Sequence, residues 1–103
     1  MRDLQKAASR SVDLIDGKFG WSHDNDTVFI HMTEEFGEIA RQLYSLKNRK
    51  DKFDLENLKD ECADVFILLS KLADNFGIDL EDSIRSKIRK NEIRFNIPSR
   101  NSE

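Results

Sequence analysis

The sequence predicts an all-α fold, in the form of an antiparallel four-helix bundle-like module. Apolar residues recur at helical spacing along the chain, and no segment shows the sustained alternation typical of a strand. The only proline, Pro98, lies near the carboxyl end, so it interrupts none of the periodic segments. With 103 residues, we expect one domain over residues 1–95 and a flexible tail over residues 96–103.

Capping signals and glycines mark the first two helices. The first is predicted over residues 2–16 and ends before Gly17. The loop GKFGWSHDND follows, in which two glycines and several Asp and Asn residues favour turns. The second helix is predicted over residues 27–47, with Asp26 as its N-cap, because an Asp side chain can accept hydrogen bonds from the first free backbone N–H groups.

The last two helices are marked in the same way. The polar connector NRKDKFD precedes a helix predicted over residues 55–76, with Asp54 as its N-cap. Gly77 then stands where a left-handed C-terminal cap is common. The fourth helix is predicted over residues 80–95 and begins after Asp79.

Composition and charge narrow the range of functions. Charged residues make up 36% of the chain, both signs are interleaved and the net charge is −3, so nothing favours binding to nucleic acid or to an anionic membrane. The single cysteine, Cys62, lies in an apolar stripe, where we expect it to fill the core. The first residues, MRDLQKAASR, lack the apolar stretch of a signal peptide, and no run reaches the roughly 20 apolar residues that span a bilayer. We therefore expect a soluble, cytoplasmic protein.

Two acid pairs stand beside the apolar stripes of the second and third helices. Glu35 and Glu38 flank the stripe of the second helix, and Glu61 and Asp64 flank that of the third with the same rotational offset. A short connector favours antiparallel packing, in which equal offsets point to the same side of the pair. We expect the four carboxylates to converge there, and we call this set the acid edge.

A divalent metal ion would explain the acid edge. Convergent carboxylates repel one another, and a bound cation removes that cost. Ligands that are all oxygen suit Mg²⁺, with Mn²⁺ as a substitute, better than zinc. The alternative is that both pairs are ordinary solvated acids, as a single Glu-x-x-Glu on a helix usually is.

These motifs resemble those of the MazG-like nucleotide pyrophosphohydrolases, in the all-α NTP pyrophosphatase superfamily. The hallmark of that family is Glu-x-x-Glu on one helix and Glu-x-x-Asp on the next, found here at residues 35–38 and 61–64. The surrounding EEFGEIA and DECADVFILL and the later KIRKNEIRF are also similar, and the resemblance covers residues 20–95. It implies a catalytic acid edge that holds Mg²⁺. It also implies cleavage of a nucleoside triphosphate between the α and β phosphates, giving the monophosphate and pyrophosphate.

The predicted fourth helix carries a polar stripe that is suited to phosphate binding. This basic stripe consists of Lys87, Lys90, Asn91 and Arg94. A polyphosphate held by a metal ion keeps outer charges that Lys and Arg can neutralise. The alternative is a solvated basic face, which the helix dipole favours near a C-terminus.

Two residues outside these motifs also have more than one interpretation. Trp21, in the loop before the second helix, is placed either to stack on a nucleobase of the substrate or to anchor the core. His31 lies one turn before the first acid pair. We expect it to make hydrogen bonds at the surface rather than to bind the metal ion.

The third helix predicts self-association. Beyond its main stripe, apolar side chains cover much of the remaining circumference, at Ala63, Phe66, Ile67 and Leu68. A helix of this kind must be covered on several faces. We expect a homodimer or homotetramer, as the resemblance also implies, and a monomer with a central third helix is the alternative.

Two other functions compete with hydrolysis of a nucleotide. A di-iron carboxylate bundle typically requires Glu-x-x-His motifs, and neither acid pair has His in that position. A helical interaction module would use its acids only for solubility. A magnesium-dependent assay of pyrophosphate release separates these possibilities.

Overall fold

The computed structural model describes residues 1–98, and this part of the chain is helical without any strand. Its α-helices, in chain order, are α1 (Arg2–Phe19), α2 (Asn25–Asn48), α3 (Leu55–Asn75) and α4 (Leu80–Arg94). A turn of 3-10 helix, Lys50–Lys52, lies between α2 and α3. The predicted all-α class is confirmed, and no helix of the described part has the length and apolar character needed to cross a membrane. Residues 99–103 of the predicted tail lie outside the described residues.

Aspartate side chains start the last three helices. The Asp54 and Asp79 caps are confirmed, because each carboxylate accepts hydrogen bonds from backbone N–H groups in the first turn of its helix. The prediction for α2 is wrong by two residues. Its cap is Asp24 rather than Asp26, since Asp24 accepts a hydrogen bond from the Thr27 N–H at 2.9 Å.

Left-handed glycines follow two of the helices. Gly77 has φ of 66° and follows Phe76, the C-cap of α3, so the predicted left-handed glycine is present. The predicted end of α1 at Gly17 is wrong, because the helix continues to Phe19 and ends at Gly20, with φ of 71°. Gly17 therefore lies inside the last turn, where a glycine is tolerated at a modest cost in stability.

The core lies where α3 packs between α1 and α2. Val28 and Met32 of α2 pack there against Leu68 of α3, and these three side chains are buried. Partly buried side chains of α3 pack around them, at Val65, Leu69 and Leu72. The buried face of α3 is therefore centred on Leu68, and Cys62 is exposed. The prediction that Cys62 fills the core is wrong within one chain.

The fourth helix joins this core only near its start. The buried side chain of Gln5 accepts a hydrogen bond from the Leu80 N–H at 2.8 Å and donates one to the Ile78 carbonyl at 2.8 Å. Beyond this anchor most side chains of α4 are exposed, and among residues 1–98 the helix does not pack along α2 or α3. The predicted helical bundle is therefore present, with three helices packed together and the fourth extending from them.

Candidate metal centre

The structure brings the side chains of the acid edge onto facing turns of α2 and α3. The negative charge of Asp64 lies near Glu35 and raises its pKa, and the charge of Glu38 raises the pKa of Glu61. The partners run in opposite directions along the two helices, as in an antiparallel pair. The apolar contacts of Val28, Met32 and Leu68 fix this register from beneath.

Within the first acid pair, Glu35 is much more enclosed than Glu38. Its side chain is 16% exposed, whereas that of Glu38 is 47% exposed. Burial raises the pKa of Glu35 and the negative charge of Asp64 raises it further, while His31 opposes the shift. The charged form of Glu35 is therefore disfavoured unless a cation stands beside it.

The charged form of Glu61, on the facing helix, is disfavoured in the same way. Burial raises the pKa of Glu61, the charge of Glu38 adds to the shift and Arg41 opposes it. The Oε1 atom of Glu61 is buried and has no hydrogen-bond partner within the described chain. A buried carboxylate oxygen without a partner is costly, and coordination to a cation would satisfy it.

The donors of the acid edge fit a hard divalent cation, although they are not yet gathered around one point. No three His, Cys, Asp or Glu side chains in the described residues stand close enough together to hold a metal ion. The donor atoms are nevertheless all carboxylate oxygens, as Mg²⁺ prefers, and the free Glu61 Oε1 is one of them. Their role as metal ligands stays a prediction.

His31 connects the acid edge to the loop between α1 and α2. Its Nε2 lies 3.6 Å from Glu35 Oε1, and its Nδ1 lies 3.1 Å from His23 Nε2. On the other side, His23 Nδ1 lies 2.8 Å from Asp16 Oδ1. The hydrogen bond expected for His31 is therefore present, with His23 as its partner. The sequence interpretation missed Asp16 and His23, and the only signal for them was that His23 and His31 are the two histidines of the chain.

A cleft of about 200 Å³ opens next to the acid edge. Its apolar walls come chiefly from Val12, Ile15, Trp21, Ile67 and Leu68. His23, His31 and Asp64 supply polar atoms to the same cleft. The Trp21 side chain is 58% exposed and stacks on Phe19 with 4.7 Å between ring centroids. Trp21 is therefore a wall of this cleft, and the core-anchor interpretation is wrong.

The basic stripe is separate from the acid edge within one chain. Lys87, Lys90, Asn91 and Arg94 are all exposed on α4. In the described residues α4 packs against α1 near its start and not along the helices that carry the acids. The structure therefore unites the acid edge with the Trp21 cleft, and it does not unite either with the basic stripe.

Comparison with known proteins gives one match. A family model described as the MazG-like family matches residues 30–103, which is more than half of the chain. The matched segment contains the acid edge and the basic stripe, whereas Asp16, Trp21 and His23 precede it. No curated protein and no solved structure gave a match.

Proposed function

The chain belongs to the MazG-like family, and we propose that it is a Mg²⁺-dependent nucleoside triphosphate pyrophosphohydrolase. The products are a nucleoside monophosphate and pyrophosphate, and removal of unwanted nucleotides is a suitable role. The observation that carries the proposal is the buried Oε1 of Glu61, which has no hydrogen-bond partner among the described residues and lies near the charge of Glu38. Folding has placed this acid where it is costly, which is typical of a site that serves binding rather than stability.

The residues of the acid edge would hold the ion. When bound, Mg²⁺ neutralises phosphate charge and polarises the phosphorus that is attacked. Glu35 and Glu61 are held on facing helices, so they define two sides of the site before any ligand enters. Glu38 is more exposed, and its side chain is therefore freer to move toward an ion or a water molecule.

The Trp21 cleft would bind the nucleobase. A flat apolar slot with an aromatic wall suits the face of a base, and polar groups at one end can read its edge. Asp64 lines this cleft and also belongs to the acid edge. A nucleotide with its base against Trp21 would therefore direct its phosphates toward the carboxylates.

The basic stripe would act on a site of another chain. Its residues cannot neutralise phosphates at their own acid edge, because α4 leaves the core after its first turn. Large apolar side chains stay exposed on several helices, including Phe36 and Leu43 of α2 and Ile84 and Ile88 of α4. We propose a homodimer or homotetramer that covers these surfaces and brings the basic stripe of one chain to the acids of the next.

The direct test is release of pyrophosphate from a panel of canonical and modified ribo- and deoxyribonucleoside triphosphates. With Mg²⁺, at least one triphosphate is expected to release pyrophosphate. A chelator should abolish this activity, and added Mn²⁺ should restore it. A panel without pyrophosphate release under any of these conditions contradicts the proposal and favours a helical interaction module.

A further inference from the structure

A partly buried chain of hydrogen bonds leads from α1 toward the acid edge. Asp16 and His23 are the inner members, with side chains only 10% and 12% exposed. Both carboxylate oxygens of Asp16 lie within 3.0 Å of His23 Nδ1, and His23 Nε2 lies 3.1 Å from His31 Nδ1. We call Asp16, His23 and His31 the relay.

The direction of the hydrogen bonds in the relay follows from the chemistry of its first member. A carboxylate accepts hydrogen bonds and donates none, so His23 Nδ1 must carry the proton that faces Asp16. In a neutral ring the Nε2 atom of His23 is then an acceptor, and His31 must donate to it from Nδ1. His31 Nε2 is left with a free lone pair.

The Nε2 atom that carries this lone pair lies beside the acid edge. His31 Nε2 lies 3.6 Å from Glu35 Oε1, which is longer than a hydrogen bond. His31 also lines the Trp21 cleft together with Asp64. A histidine in water prefers the proton on Nε2, so the relay imposes the less common tautomer at this point.

We propose that His31 Nε2 accepts a hydrogen bond from the water molecule that attacks phosphorus, and that Asp16 and His23 are positioning residues that fix its tautomer. The proposal rests on the hydrolysis proposed above. An imidazole nitrogen suits water better than the ion in this site, because Mg²⁺ prefers oxygen ligands. The relay would thus orient the water next to Glu35 and Asp64.

Long-range ¹H–¹⁵N correlation spectra of the two histidines test the relay without any activity. Wild-type protein is expected to show the proton on Nδ1 in both rings. In Asp16→Asn the amide can donate to His23 Nδ1, which permits the reversed direction and a shift of His31 toward the Nε2–H form. Asp13→Asn is the matched control, because Asp13 lies one turn earlier on α1 and pairs with Lys71 at 2.7 Å, outside the relay. A proton on Nε2 of His31 in the wild type overturns the proposal.

Kinetics and metal binding complete the test. We expect His31→Ala and Asp16→Asn to lower kcat by about 10- to 100-fold, the range typical of outer-shell partners. KM for the triphosphate and the affinity for Mg²⁺ measured by calorimetry without nucleotide should stay unchanged, as should all values for Asp13→Asn. A parallel loss of Mg²⁺ affinity in His31→Ala overturns the proposal, because His31 would then be a metal ligand. Unchanged kcat in both relay variants overturns the role of the relay and leaves the proposed hydrolysis intact. A wild-type protein that hydrolyses no triphosphate overturns both.

Discussion

The acid edge and the basic stripe differ in how the fold supports them. The acid edge sits on α2 and α3, which share the buried contacts of Val28, Met32 and Leu68. The basic stripe sits on α4, which is anchored through Gln5 at its start and is largely exposed beyond that point. The core of a single chain therefore supports the acid edge, and it does not support the basic stripe.

This difference has a physical origin in the lengths of the connections and the apolar faces. A short connector and two apolar stripes leave the α2–α3 pair one register in which both stripes are buried. The apolar side chains that could fix a register for α4 contact little of their own chain and remain exposed, including Ile84, Ile88 and, directly after the helix, Phe95. Packing among the described residues therefore does not fix the basic stripe against the acids, and in the proposed assembly a second chain would do so.

The largest expected effect is the loss of one carboxylate from the acid edge. Glu38→Gln or Asp64→Asn should lower hydrolysis by more than the roughly 100-fold seen for outer-shell partners, because each removes a proposed ligand. Circular dichroism should show an intact helical fold. Glu34→Gln removes a neighbouring acid outside the edge and should keep wild-type turnover. Full activity in either edge variant would contradict the metal-site assignment.

A smaller effect is expected when a member of the basic stripe is removed. Lys87→Ala, Asn91→Ala and Arg94→Ala should each lower kcat/KM for the triphosphate about tenfold, equal to ~1.4 kcal/mol of lost phosphate contact. The melting temperature should barely move, because exposed side chains contribute little to folding. Arg89→Ala takes a positive charge from the same helix outside the stripe and is the control. Wild-type kinetics in all three variants would remove α4 from the site.

In solution, the protein should have two or four times the mass of one chain. One chain has a mass of 12.0 kDa, and sedimentation equilibrium at micromolar concentration should give twice or four times that value. The reason is the exposed apolar surface that α2 and α4 leave uncovered. A 12.0 kDa species would show that the basic stripe has no second chain to act on.

The smallest effect concerns stability without metal. The pKa values of Glu35 and Glu61 are raised above their ordinary value near 4.5, so the folded state binds these protons more tightly than the unfolded state does. Their contribution to the free energy of unfolding is therefore full below pH 4.5 and is lost as the pH rises through the raised pKa values. Urea titrations between pH 4 and pH 7 should show that the free energy of unfolding falls more steeply with rising pH in the wild type than in the double variant Glu35→Gln/Glu61→Gln. Equal pH dependence in the two proteins would show that the charged forms of these carboxylates do not destabilise the fold.

Local pattern was enough to predict the helices and the packing of α2 against α3. Both depend on helical periodicity and on one short connector, which are readable along the chain. The choice of Asp24 over Asp26 was not readable, because both are good caps two residues apart and the conformation of the loop decides between them. Cys62 was misplaced because α3 is apolar on most of its circumference, so periodicity does not identify its buried face.

Features that join distant elements were beyond the sequence pattern. The relay joins Asp16 of α1 to His23 of the loop and His31 of α2, and no spacing rule connects residues that meet only through tertiary packing. The departure of α4 from the core is of the same kind. Its apolar and basic faces predict that it must be covered, but they do not say whether its own chain or another one does so.

Phosphorus-31 NMR of a triphosphate incubated with the protein and Mg²⁺ tests the central claim most directly, because it identifies the bond that breaks. The triphosphate should be one that releases pyrophosphate in the panel assay. With the wild-type protein we predict resonances of the nucleoside monophosphate and pyrophosphate in equal amounts. With Asp64→Asn under the same conditions we predict no product resonances. Formation of a nucleoside diphosphate with orthophosphate, or an unchanged triphosphate, would contradict it.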